Sequence, residues 1–306
     1  MTAVSGALVA RPGAGPLAAR LAGGPAAPLR LCWLGQAGFV LDAAGRRLVI
    51  DPYLSDGLAE KYRGGPFPHQ RMMPAPVTPA GLGAVDLVLV THHHTDHMDP
   101  QTLAPLLAAS PAASLVCPAA SAAEAMRRAG VGAERLIVLD AGERVEPLPG
   151  IAVTATRAAH ETLERDDAGR HRFLGYLIEA AGLRLWHSGD CVPFDGLVAE
   201  VAPLAPDVVL LPVNGRRPEL AAHGIAGNFS LAEAVDVAHA VGATTLVAHH
   251  HGLFAFNTAD PAAIDALAGA QAADGATPRI LRAATGVDYL AETAAGPADE
   301  AAEGRR

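Results

Sequence analysis

Apolar runs and their spacing divide the chain into short strands and helices. Leu29–Leu41 and Arg47–Asp51 read as a hairpin joined by Ala43-Ala44-Gly45. Asp86–Val90 (DLVLV) and Asp207–Val213 (DVVLLPV) are nearly unbroken apolar runs, as expected of strands covered on both faces. Leu136–Leu139, Ile151–Thr156 and Thr244–Ala248 are shorter strand-like segments. Phe173–Glu179 and Leu183–His187 form a second hairpin around Ala181-Gly182. Asp99-Pro100 and Asp260-Pro261 read as N-cap and first residue of helices that end near Ala109 and Ala270. Ser121-x-x-Glu124 and Ser230-x-x-Glu233 have capping-box spacing, opening helices to about Ala129 and Val241. Strand runs dominate early and recur after each helix. That order predicts an α/β (α+β) fold with two sheets flanked by helices, rather than one doubly wound sheet.

Outside this pattern, residues 1–28 are rich in Ala, Gly and Pro and read as a flexible tail, as do residues 292–306. The expectation is one domain over 29–291. The apolar run Ala7-Leu8-Val9-Ala10 is too short for a secretory core of about 7–15 residues. No stretch approaches the roughly 18 apolar residues of a membrane helix. The Pro/Gly-rich segment from Asp56 to Gly81 is long for a compact domain, and such loops are usually functional or mobile.

Composition narrows the classes. Half of the 306 residues are hydrophobic and 18% are charged, which excludes a disordered acidic chain. The net charge is −9 and Lys61 is the sole lysine, so nucleic acid is not an expected partner. Cys32, Cys117 and Cys191 are too few and scattered for a disulfide framework or a CxxC zinc site. A reducing, cytoplasmic setting is the expectation. The 13 histidines stand out, seven of them in two clusters, His92, His93, His94 and His97, then His249, His250 and His251.

The first cluster follows the DLVLV strand and contains H-x-H-x-D-H, with His92, His94, Asp96 and His97 at the fixed positions. A turn at a strand end can aim His92 and His94 at one metal and Asp96 and His97 at a second. Imidazole and carboxylate suit Zn, Fe or Mn. A solvated His-rich loop is the competing reading, and four histidines and an aspartate in six residues after a buried strand speak against it. Further ligands are offered at later strand ends by His160, Asp190 and His250.

With those residues in that order, the chain resembles the metallo-β-lactamase superfamily. The resemblance implies an αββα sandwich with a two-metal site at one edge. It places His92, His94 and His160 on one metal, and Asp96, His97 and His250 on the other, with Asp190 bridging. It makes Asp51 a carboxylate that orients a ligand imidazole. By chemistry His249, His250 and His251 are all eligible; the family pattern selects His250, and strand alternation turns its neighbours away. Asp190 argues against antibiotic hydrolysis, because class B1 lactamases lack the bridging aspartate. Cys191 is either a thiol touching the site or a passive small residue. WLGQAGF at 33–39, DPYLSD at 51–56, HRFLGY at 171–176, HSGD at 187–190, PVNGR at 212–216 and GNFS at 227–230 resemble the L-ascorbate-6-phosphate lactonase-like branch. Arg217 departs from that branch, which has Asp there.

The implied reaction is hydrolysis of a lactone or ester, including one on a phosphorylated sugar acid. Water held between two divalent ions is acidified from pKa 15.7 towards about 7 and attacks the carbonyl. Asp190 bridges and Asp96 helps handle the proton. Arg216 and Arg217 are candidates for holding an anionic group on a small-molecule substrate, with a surface salt bridge as the alternative. Asn214 and Asn228 either meet sugar hydroxyls or cap turns. A phosphodiesterase or nuclease of the same fold is the alternative function, and a diiron redox protein a remoter one. The cofactors expected are two divalent ions, Zn or Mn with Fe also open. A homo-oligomer is compatible with the sequence.

Overall fold

A computed structural model of the chain describes residues 4–26 and 28–293. Its strands form an eight-stranded and a seven-stranded sheet. The first holds β1 (Val4–Pro12), β2 (Leu29–Gly35), β3 (Gly38–Ala43), β4 (Arg46–Ile50), β5 (Leu87–Leu89), β6 (Ser114–Pro118) and β7 (Leu136–Leu139). The second holds β8 (Arg144–Leu148), β9 (Ile151–Arg157), β10 (Leu174–Ala180), β11 (Leu183–His187), β12 (Val208–Pro212), β13 (Thr245–His249) and β14 (Arg279–Arg282). A last strand, β15 (Val287–Thr293), returns to the first sheet between β1 and β2.

Alternation along each strand sorts the side chains between layers. Leu31 and Trp33 of β2 face an inner core shared with Val153, Tyr176, Leu185 and Leu210 of the second sheet. Cys32 and Leu34 face outward, under the helices α1 (Leu17–Leu21), α3 (Pro100–Ala109) and α4 (Ala122–Ala129), while α2 (Gly57–Lys61) sits in the long loop. The outer face of the second sheet is covered by α5 (Leu197–Val201), α7 (Leu231–Ala240) and α8 (Pro261–Asp274), with the short α6 (Pro218–Ala221) between. The result is the expected pair of sheets with helices on both outer faces. Each fully buried Leu or Val side chain in the inner core contributes about 1.5–3 kcal/mol. No helix among the described residues is long and apolar enough to cross a membrane.

Several boundaries depart from the sequence reading. The segment 29–41 is not one strand but two, because Gly35 (φ 97°) and Gln36 (φ 51°) turn the chain between β2 and β3. The expected tail over 1–28 is structured where it is described. Its residues 4–12 pair antiparallel with β15, and Leu17 and Leu21 of α1 are buried. Of the expected tail over 292–306, residues 292 and 293 end β15 and 294–306 lie outside the described residues. The capping box at Ser230 forms with Glu233. The one at Ser121 does not, because Ser121 ends a 3₁₀ turn that runs directly into α4 and its side chain makes no cap bond. Glu124 pairs with Arg127 and Arg128 instead.

Two contacts lock the sheets together beneath the site. The Tyr176 hydroxyl donates to the Val90 carbonyl at 3.0 Å, and the Leu174 amide donates to the Thr91 carbonyl at 3.1 Å. They hold β10 against the segment that carries the first histidine cluster.

Candidate metal centre

The chain crosses one edge of the sandwich five times, and each crossing leaves an ionisable side chain there. Asp51 follows β4, His92–His97 follow β5, His160 follows β9, Asp190 follows β11 and His250 follows β13. β4 runs parallel to β5, and β11 to β12 and β13. Their carboxyl ends therefore open on the same side, where crevices in α/β sheets characteristically take ligands.

Local backbone geometry aims these groups. After β5 the His97 and Met98 amides both donate to the His94 carbonyl, closing a tight turn before Asp99 caps α3. Gly189 (φ 64°) presents Asp190; a Cβ there would meet the Leu174 carbonyl oxygen at 2.6 Å. His250 adopts φ 62°, with its amide bonded to the Gln36 carbonyl at 3.0 Å. His250 is thus separated from its neighbours by a left-handed turn after β13, not by strand alternation. His249 lies buried edge-on against Phe39, and the His251 ring packs at 5.1 Å from Trp33.

Seven side chains converge. His92, His94 and His160 form one group; His92, His97 and Asp190 a second; Asp96, His97 and His250 a third. Within each, the donor atoms lie within 4.8 Å of one another. His160 Nε2 and His94 Nδ1 are 3.1 Å apart. Asp190 lies between the groups: Oδ1 is 3.4 Å from His97 Nε2 and 3.3 Å from His250 Nε2, and Oδ2 is 4.0 Å from His160 Nε2. The buried atoms His92 Nε2, His97 Nε2, His250 Nε2 and Asp190 Oδ1 have no hydrogen-bond partner. Such an atom costs about 1–3 kcal/mol to bury unsatisfied, so four in one place form a donor set suited to a cation.

Electrostatics agree with that use. Burial, with His97 and His94 beside it, holds His92 well below the ordinary imidazole range. Burial and His160 push His94 down to about 4, so both rings offer neutral nitrogens. Burial opposes charge on Asp190, but His250 and His97 hold it well below the usual carboxylate range. Burial also opposes charge on His97, yet Asp190, Asp51 and Asp96 raise it well above 6.5. Cys191 is fully buried, its thiol pointing at the Val192 carbonyl and pushed up to about 12 by burial. No thiolate is available, and the remaining N/O donors fit Zn, Mn or Fe.

Behind the cluster, Asp51 Oδ1 accepts from the Thr91 amide at 2.8 Å, and Oδ2 from the Thr91 hydroxyl at 2.6 Å and His97 Nδ1 at 2.7 Å. This leaves His97 Nε2 facing Asp190. Gln36 donates from Nε2 to Asp96 Oδ2 at 2.9 Å. The roles of Thr91 and Gln36 were not visible in the sequence, because each depends on a partner across the fold.

A cavity of about 490 Å³ opens over Asp96, Asp190, His94, His160 and His250. The four expected substrate-binding residues do not line it. Arg216 bonds the Asn228 carbonyl and pairs with Glu233. Arg217 bonds the Phe256 and Thr258 carbonyls. Asn228 donates to Asn214 at 3.0 Å, and Asn214 to Asn257 at 2.9 Å; Asn257, unremarkable in the sequence, is the member that reaches the cavity wall. Arg128 and Lys61 are the cationic side chains that line it.

Comparison with known proteins agrees with this geometry. A family model described as "Beta-lactamase superfamily domain" matches residues 46–251. A UPF0173 metal-dependent hydrolase of Polynucleobacter asymbioticus is 31% identical over 214 residues, covering 63% of this chain and 67% of that protein. One from Saccharolobus solfataricus is 28% identical over 193 residues, covering 61% and 72%. Among solved structures, an isothiocyanate hydrolase from Delia radicum gut bacteria superposes with a TM-score of 0.65 at 22% identity, covering 86% of this chain and 99% of that one. At that identity the likeness speaks for the fold alone.

Proposed function

Because the chain belongs to the beta-lactamase superfamily, among its UPF0173 metal-dependent hydrolases, we propose that its histidine–aspartate cluster holds two divalent ions and hydrolyses a lactone or ester. His92, His94 and His160 would hold one ion, and Asp96, His97 and His250 the other. The observation that carries this reading is Asp190, whose two oxygens face different groups, Oδ1 towards His97 and His250, Oδ2 towards His160. Divalent ions held there would polarise the substrate carbonyl and acidify water.

The chain's own residues supply the rest. Asp51 and Thr91 fix the His97 ring. Gln36 holds Asp96 at the cavity wall, where its charged carboxylate accepts a hydrogen bond from the attacking water and steers the oxygen towards the carbonyl carbon. The buried position of Asp190 keeps bulk solvent from competing for its oxygens. The lactone side of the reading rests on the likeness to the L-ascorbate-6-phosphate lactonase-like branch. The ester side follows from the same carbonyl chemistry.

The test is metal analysis with turnover. Wild type should take up two ions per chain and open δ-lactones. Asp190→Ala should lose at least one ion and the activity. Full occupancy in that variant would overturn the bridging assignment. A chromogenic phosphodiester turned over faster than any lactone or ester would transfer the site to phosphodiester hydrolysis.

A further inference from the structure

The wall of the cavity away from the metal-ligating cluster is aromatic. Seven Phe and four Tyr residues make up most of the chain's 4% aromatic content, yet Tyr62, Phe67, Phe254 and Phe256 all line this one cavity. Phe254 and Phe256 lie nearly parallel, 7° apart at 6.0 Å. His69 meets both edge-on at 5.0 and 4.7 Å and stacks on Tyr62 at 4.3 Å. Phe67 closes the row at 5.4 Å from Phe256. The Pro/Gly-rich loop after Asp56 supplies three of these rings, and the chain after β13 supplies the Phe pair. Tyr62 is 39% exposed, and Phe67, His69 and Phe256 are only partly buried. These four rings are therefore presented to the cavity, whereas Phe254 is buried behind them in a small cluster with Tyr53, Leu58 and Leu253.

Polar side chains, among them Lys61, Thr95, Arg128 and His223, also line the cavity, and Arg128 already holds the His93 and Met98 carbonyls. The two lining amides already have partners: Gln36 Nε2 bonds Asp96, and Asn257 Oδ1 accepts from Asn214. Arg216 and Arg217 hold carbonyls elsewhere. Sugar hydroxyls turned towards the Phe rings would lose water without replacement, whereas a flat unsaturated ring would gain offset or edge contacts with the Phe and Tyr rings.

We infer that the substrate is an aryl-bearing lactone or ester, its ring held against Phe256, with Phe67 and Tyr62 beside it, while its carbonyl reaches the histidine–aspartate cluster. This rests on the hydrolase reading above. Hydrolysis breaks the acyl C–O bond, water supplying OH to the acyl carbon and H to the departing oxygen: an aryl-fused lactone such as dihydrocoumarin gives one hydroxyaryl acid, and an ester gives an acid and an alcohol or phenol. The site therefore belongs beside reactions that form or consume aromatic acids, alcohols or phenols.

The test uses the full chain loaded with Zn or Mn and a matched set: 3,4-dihydrocoumarin, δ-valerolactone and glucono-δ-lactone. An aromatic contact of about 0.5–1.5 kcal/mol corresponds to roughly a twofold to tenfold effect. Phe256→Ala should lower kcat/KM for dihydrocoumarin about fivefold to tenfold more than for δ-valerolactone, and Phe256→Leu should fall between. Equal losses for the two lactones, or a preference for gluconolactone that Phe256→Ala leaves intact, would overturn the inference. If no lactone is turned over, the lactone side of the hydrolase reading fails separately. Calorimetry with 3-(2-hydroxyphenyl)propanoate then decides the aryl site: binding at least threefold weaker in folded Phe256→Ala supports it, and equal binding overturns it.

Discussion

Asp51→Asn changes one atom in a buried site and tests the orientation of His97 directly. The carboxylate accepts three bonds, from the Thr91 amide, the Thr91 hydroxyl and His97 Nδ1. An amide cannot reproduce all three. If its oxygen takes the place of Oδ1, its NH₂ faces His97 Nδ1, and the ring must carry its proton on Nε2, where a ligand lone pair is needed. If the amide is flipped, NH₂ confronts the Thr91 N–H and a buried donor goes unpaired, at about 1–3 kcal/mol. Loss of such a supporting partner typically weakens a metal about 10–100-fold, or about 1.4–2.8 kcal/mol at roughly 1.4 kcal/mol per tenfold. The loss should fall on one ion, because His97 belongs with Asp96 and His250, while His92, His94 and His160 keep their geometry. Competition against a chromophoric chelator, at matched circular dichroism, would read two affinities in wild type and one weakened in the variant. Both affinities within twofold of wild type would refute the role given to Asp51.

Three further outcomes follow from the geometry. Gly189→Ala should lower stability by at least about 2 kcal/mol, combining a left-handed backbone with a Cβ that meets the Leu174 carbonyl at 2.6 Å; an unchanged urea midpoint would contradict it. Because Asp190, Asp51 and Asp96 raise His97 against its burial, its contribution to the metal-free fold is full below an ordinary pKa of about 6.5 and is lost as pH rises through the higher folded value. Metal loading at neutral pH should then release a proton, seen by calorimetry in buffers of different ionisation enthalpy, and its absence would argue against a charged His97. Arg216→Ala should cost less than about 1 kcal/mol, since its pair with Glu233 is partly exposed, and should alter KM equally for anionic and neutral substrates; a selective rise for anions would restore its proposed contact with substrate.

The histidine–aspartate cluster was legible because its pieces sit at the ends of apolar strands, where residue type and position can be read locally. The helices opened by Asp99-Pro100 and Asp260-Pro261 were legible for the same reason, since each cap bonds within its own turn. β1, β6, β14 and β15 were not, because their existence depends on partners distant in sequence; β8 pairs with the adjacent β9, but Glu146 and Pro147 interrupt its apolar pattern. Val9 pairs with Leu290, for example, and no local signal announces that. Arg216 and Arg217 show the complementary limit. Sequence shows a guanidinium fork but not the carbonyls of Asn228 and Phe256 that occupy it.

The insertion of β15 between β1 and β2 constrains the order of assembly on the ribosome. β2 can pair with β3 as soon as both have emerged, but its other edge stays open until Val287–Thr293 has been made. During that interval the strand carrying Leu31 and Trp33 exposes unpaired backbone, a template for contact with another nascent copy. Only when Val287–Thr293 arrives can β1 be joined to the sheet. Synthesis rate and chaperone access up to the emergence of β15 should therefore govern the yield of native protein more strongly than the same variables over the loops that carry the histidines.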